Sequence, residues 1–146
     1  MTDLRLAPHA AFVLRVALGL MFLAHSVVLK LFQFTLPGTA AFFGQLGLPA
    51  WSAYAVFFAE AIGGAMLVLG IQARWVALAL APILLGAVWV HAGNGWMFGS
   101  PNGGREYPLY LLVLSVVQAM LGDGAYALSP SRPLMLAPAH LAPAHR

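Results

Sequence analysis

Four ionisable side chains interrupt the apolar runs of this chain: Arg15, His25 and Lys30 in the first, and Glu60 in the second. An ionisable group deep in an apolar helix is costly unless it pairs or faces a hydrated cavity, so chemistry is to be sought at these positions. At about 100° per helical residue, His25 lies roughly 80° to one side of Arg15 and Lys30 roughly 60° to the other, which gives the first helix one broad polar face. Gly63 and Gly64 follow Glu60 by one helical turn, on its own face, where small residues permit close approach of a neighbouring helix. Glu60 is therefore expected to point inward. His25 and Glu60 lie at similar depth, roughly 12 to 16 Å from the ends of their runs at about 1.5 Å per residue, and are expected to meet.

Such a pair supports more than one reading. As a hydrogen-bonded catalytic pair, His25 and Glu60 would pass protons or receive a quinone headgroup, because quinone reduction needs a proton donor beside each carbonyl oxygen. As a structural pair they would satisfy each other and fix helix register. With His91 added they would form a metal site, although no metal is expected. His91 closes the third apolar run, and the loop after it returns through Arg105 and Glu106. Lys30, His91 and Glu106 are accordingly the candidate cofactor contacts around the pair. The plainer reading makes His91 an interfacial histidine and Glu106 a solvated helix start favoured by the helix dipole. Arg15 and Asp123 fall near the same membrane face and are expected to form a structural ion pair.

The elements that must position these groups follow from composition. Hydrophobic residues make up 62% of the 146 and charged residues only 8%, with a mean hydropathy of +0.87. A soluble domain of this size has too much surface for that balance. The expectation is an all-α integral membrane four-helix bundle, with spans at about 11–36, 51–70, 74–92 and 107–127 forming one domain over 11–128. The first run is too polar at its centre for a cleaved leader and reads as a retained span. Residues 1–10 are expected to be a cytoplasmic N-terminus. Residues 129–146 are proline-rich, repeat Leu136 to His140 as Leu141 to His145, and are expected to be a disordered cytoplasmic tail.

Arg5, Arg15, Arg74, Arg132 and Arg146 fall on the face that carries both termini, against Lys30 and Arg105 on the other. The positive-inside rule then puts both termini in the cytoplasm. Trp51, Trp75, Trp96 and Tyr107 fall near span ends, as interfacial aromatic belts require. The net charge of +3 comes from scattered arginines with no basic run, which argues against nucleic acid as a partner. Cysteine is absent, so the chain carries no disulfide, thiolate ligand or dithiol relay, and electron chemistry would need a bound cofactor or a partner.

Several separated stretches together resemble the DoxX family of small bacterial membrane proteins over about residues 12 to 130. They are Arg15 with Leu18-Gly19-Leu20, His25 and Lys30, then Phe43 with Gly47-Leu48-Pro49 in the first loop. Ala59-Glu60, Gly63-Gly64, Leu69-Gly70 and Arg74 follow, then His91, Gly95 and Glu106, and a closing Gly122 to Leu128 segment. Ser26 replaces the family's usual glycine, and Pro130 stands where an acidic residue is common. The resemblance implies a four-helix protein of the bacterial cytoplasmic membrane, some of whose relatives serve a thiosulfate:quinone oxidoreductase. The expected function is the membrane subunit of a quinone-linked oxidoreductase system, with the lipid bilayer around it and a redox protein or a second copy of the chain as partner. The alternative is a non-catalytic membrane scaffold or assembly partner. A channel or transporter is a third class, for which four spans are narrow without oligomerisation.

Overall fold

The computed structural model describes residues 3–133, and its regular elements are all helices, with no strand among those residues. Helix α1 covers Ala7–Leu23 and runs on without a break as a π-helical segment over Ala24–Gln33. Helix α2 covers Leu36–Gln45, α3 Ala50–Leu69, α4 Ala73–His91 with a 3-10 turn over Ala92–Asn94, and α5 Glu106–Leu121. Three of these stretches, Ala7–Gln33, Ala50–Leu69 and Ala73–Asn94, are long and apolar enough to cross a membrane. The apolar α5 is shorter at 16 residues, about 24 Å against a hydrocarbon core of about 30 Å.

Two boundaries differ from the sequence expectation. The fourth run was expected to continue to 127, but α5 stops at Leu121 because Gly122 turns out of the helix at φ +88°. The first connection was expected to be loop, yet it contains α2. Thr35 caps that helix, its hydroxyl accepting from Gly38 N at 3.2 Å, and Pro37 lies in the first turn. Both are ordinary start signals.

Contacts run between α1 and α3, α3 and α4, α4 and α5, and α5 and α1, while α2 lies against α3. The interior is filled by Leu18, Phe22, Leu67, Ala77, Leu80, Leu84 and Leu111. Large apolar side chains such as Phe58, Ile62, Leu85 and Trp89 are exposed on the outside. A contiguous apolar exterior of this kind belongs against lipid, because water would not tolerate it. Helices α1 and α3 approach each other closely. A Cβ on Gly19 would lie 2.7 Å from the Gly64 carbonyl oxygen, and one on Gly64 would lie 2.9 Å from that of Gly19. Backbone therefore meets backbone, and this contact sets the spacing at which polar groups further along the two helices meet.

The end of the fold that carries the termini is tied together by polar groups. Arg15 is wholly buried and donates through Nη1 to Leu67 O (3.2 Å) and Val68 O (3.3 Å), and through Nη2 to Ala125 O (3.1 Å). The last carbonyls of α3 have no partner within their own helix, and the guanidinium fork satisfies two of them while clamping the closing segment. The described part of the tail is held too: Gln72 N donates to Ser129 O and Ser129 N to Gly70 O. The repeat at 136–145 lies outside the described residues.

Candidate functional site

The polar groups of the first apolar run are positioned by a change of helical winding. From Ala24 to Gln33 the backbone bonds run i to i+5, and Phe34 N extends the series by donating to Leu29 O at 2.8 Å. Single-turn π-bulges are the usual form and are frequent at functional sites, so ten consecutive π residues are unusual. Wider winding turns the chain by fewer degrees per residue, so each side chain beyond Leu23 departs from the direction an α-helix would give it.

The consequence is a change of partner for Glu60. Its carboxylate is met by Lys30, whose Nζ donates to Oε2 at 2.5 Å, the one salt bridge among the described residues. Glu60 is buried between its neighbours, and the Lys30 side chain is mostly enclosed. The expected His25–Glu60 hydrogen bond does not form. His25 Nδ1 donates instead to Met21 O at 2.9 Å, one turn back on its own helix. Because Nδ1 holds the donated proton, Nε2 of the neutral ring carries a lone pair. The imidazole remains within electrostatic reach of Glu60. It stacks on Tyr107 of α5, with ring centroids 5.6 Å apart and planes 25° apart. The Tyr107 hydroxyl is enclosed and has no hydrogen-bond partner among the described residues. Sequence reasoning took Tyr107 for an interfacial anchor. The signal that could have singled it out is its position next to Glu106, at the start of the last apolar run.

The remaining candidates organise the loop over this end. His91 Nδ1 donates to Asn102 O (3.1 Å) and Gly103 O (3.2 Å), and Asn94 Nδ2 donates to the same two carbonyls at 3.1 and 2.9 Å. Glu106 Oε2 accepts from Phe98 N at 3.0 Å. The loop closes tightly at Gly104, where a Cβ would lie 2.3 Å from Met97 O. His91 and Glu106 thus hold the loop by contacts within it. No cluster of three or more His, Cys, Asp or Glu side chains able to hold a metal ion forms among the described residues.

Arg15 and Asp123 do not make the ion pair that was expected of them. Asp123 Oδ1 accepts from Ala73 N (2.7 Å) and Ser131 Oγ (3.1 Å), and Oδ2 accepts from Ser131 N (2.8 Å). It caps the positive end of α4 across the fold, while Arg15 is used up on carbonyls. The physical reason is that free helix ends of opposite polarity, α4 N–H and α3 C=O, compete for the same two side chains and lie in better directions.

The chain is 35% identical over 117 residues to a Bacillus subtilis (strain 168) protein named "Putative oxidoreductase CatD", covering 80% of this chain and 82% of that one. No solved structure matches. The DoxX family profile matches residues 10–93, a segment that includes Arg15, the π-helical turn, the Gly19–Gly64 contact and the Lys30–Glu60 pair, and the chain belongs to the DoxX family.

Proposed function

We propose that the chain is the membrane subunit of a quinone-linked oxidoreductase system, in which Glu60 with Lys30, and His25 beside them, handle the protons of quinone turnover. The observation that carries this reading is the Lys30–Glu60 ion pair enclosed between two apolar helices. An ion pair in such a place is expensive to maintain, and hydrophobic side chains would hold the helices together as well. The name of the Bacillus subtilis relative points to the same class of chemistry.

The residues present fit a quinone headgroup. His25 Nε2 makes no hydrogen bond among the described residues and can receive or return a proton, and the Tyr107 ring stacked on the imidazole offers a flat aromatic contact to a planar headgroup. When bound, a quinone supplies the capacity to take up two electrons and two protons. The part played by this chain is to hold protons near it: on His25 Nε2 when that ring is charged, and on the Glu60 carboxyl when Lys30 moves away. Electrons come from a bound cofactor or a partner protein, since the chain has no cysteine with which to carry them.

In this reading α5 crosses the bilayer as the fourth helix of a bundle, its shortness accommodated by local thinning. In the same reading both termini lie in the cytoplasm of a bacterial inner membrane, which the excess of Arg5, Arg15, Arg74, Arg132 and Arg146 over Lys30 and Arg105 supports by the positive-inside rule. The pair and the loop of His91 and Glu106 then lie toward the outer side. The competing scaffold reading draws support from Arg15, a buried charge whose observed contacts are all structural.

The deciding experiment is mass spectrometry of the protein purified in native-membrane discs. Stoichiometric quinone in the wild type, lost in a folded Glu60→Gln variant, is the expected result. A quinone-free wild type that captures a defined membrane protein would move the assignment to scaffold.

A further inference from the structure

Residues 31–59 contain no charged side chain and no histidine. Soluble chains carry a charge at about every fourth residue, so a stretch of this length that met water should hold several. Part of it is no span at all: residues 34–49 connect α1 and its π-helical extension to α3, folded around α2 at the end of the fold away from the termini. The connection after α4, at the same end, differs, holding Asn94, Ser100, Asn102 and Arg105.

Helix α2 buries Thr39 and Ala40, while Pro37, Gly38, Ala41, Phe42, Gly44 and Gln45 are exposed. Its open face thus carries a single polar side chain, Gln45, at the last helical position. Phe32 and Phe34 are exposed just before α2. Just after it, Trp51, Tyr54, Phe58 and Ile62 form one exposed stripe along α3 at helical spacing, so the apolar exterior continues up to α2. The backbone of the connection is also closed on itself. Thr35 Oγ accepts from Gly38 N (3.2 Å), and Thr39 Oγ donates to Thr35 O (2.9 Å). Gly47, at φ +78°, donates to Gly44 O (3.0 Å) and Leu48 N donates to Phe43 O (2.9 Å), the paired bonds of a Schellman turn. Pro37 and Pro49 remove a donor at the start of α2 and of α3.

We propose that α2 lies within the bilayer, immersed in the leaflet opposite the termini, with lipid acyl chains as the partner of its open face. Missing charge and closed helix ends are independent observations. Both select lipid over water, since lipid offers no hydrogen bonds and a segment inside it must satisfy its own polar groups. Helix α2 contacts α3 and the π-helical segment, the two elements that carry Glu60 and Lys30. The pair is therefore flanked by lipid-immersed structure, and an apolar ligand would approach it from the bilayer. The immersion of α2 does not rest on the quinone-linked reading.

Because the chain has no cysteine, single labels can be placed cleanly. Full-length Ala41→Cys and Phe42→Cys variants are labelled with a nitroxide in lipid nanodiscs. Ile62→Cys on the lipid-facing stripe and Arg5→Cys near the N-terminus serve as references. Power-saturation electron paramagnetic resonance compares access of oxygen, which concentrates in lipid, with access of nickel ethylenediaminediacetate, which stays in water. Labels at 41 and 42 are expected to favour oxygen, as at 62, and to reverse the order found at 5. Ala41→Cys is a small change at an exposed position and decides the matter if Phe42→Cys does not fold. Nickel access matching that at position 5 overturns the proposal, because α2 then lies in water. Low access of both reagents also overturns it, because a protein surface such as a second copy then covers α2. Failure here leaves the quinone assay untouched: quinone lost in Glu60→Gln with α2 in water keeps the function and sinks the immersion, and unchanged retention with α2 in lipid does the reverse.

Discussion

Replacing Lys30 and Glu60 by methionine, singly and together, tests whether their ion pair is kept for stability or for chemistry. The pair spans 2.5 Å between Nζ and Oε2, and both partners sit in apolar helices. Two unit charges about 4 Å apart attract by about 4 kcal/mol at an effective dielectric constant near 20. Desolvating both groups costs a comparable amount, so the intact pair contributes little net stability. Lys30→Met alone strands a carboxylate, and Glu60→Met alone strands an ammonium group. Each should cost roughly 3 kcal/mol, somewhat less for Glu60→Met because the Lys30 chain can reach toward the interface. For a protein of this size that is a fall in Tm of roughly 6 to 12 °C. The double variant should recover most of the loss, giving a coupling of at least about 2 kcal/mol. Tryptophan fluorescence during thermal unfolding in detergent reads the stability, and quinone retention in membrane discs reads the function. A double variant that melts like wild type but has lost its quinone supports chemistry. Additive losses with no recovery would refute the reasoning about desolvation, and full stability with quinone retained would refute the functional reading of the pair.

The helix contact and the terminal clamp give two further expectations. Gly19→Ala puts a methyl group within 2.7 Å of the Gly64 carbonyl oxygen, and Gly64→Ala one within 2.9 Å of that of Gly19; each should cost about 1 to 3 kcal/mol by thermal unfolding, and a neutral result would show that α1 and α3 can separate freely. Arg15→Met should be strongly destabilising because it removes the donor shared by the carbonyls of Leu67, Val68 and Ala125, of which Leu67 O alone keeps a bond from Gly70 N. Asp123→Asn should cost only about 1 kcal/mol as a weakened cap, and the two losses should add within about 0.5 kcal/mol. A larger interaction energy would mean that Arg15 and Asp123 pair after all.

Membrane character was legible in the sequence because it depends on quantities that do not require a fold: apolar content, run length and the rarity of charge. The spacing of Glu60, Gly63 and Gly64 likewise announced a close helix contact, since small residues one turn apart have that effect in any α-helix. Candidate polar positions were visible for the same reason, because a charge in an apolar run stands out wherever it points. What the sequence could not supply was the choice of partners. Assuming 100° per residue throughout, it joined Glu60 to His25, whereas π winding after Leu23 delivers Lys30 to Glu60 and leaves His25 on Met21 O and Tyr107. It joined Arg15 to Asp123 by opposite charge, but the unsatisfied ends of α3 and α4 claimed them separately, and those ends lie next to these side chains only once the chain has closed on itself. Tyr107 passed for an anchor, whereas its ring stacks on a histidine of another helix. Residue type and spacing along one helix are local properties and can be read directly, whereas which groups meet is set by winding, crossing and competition among helix ends, and these exist only in the folded molecule.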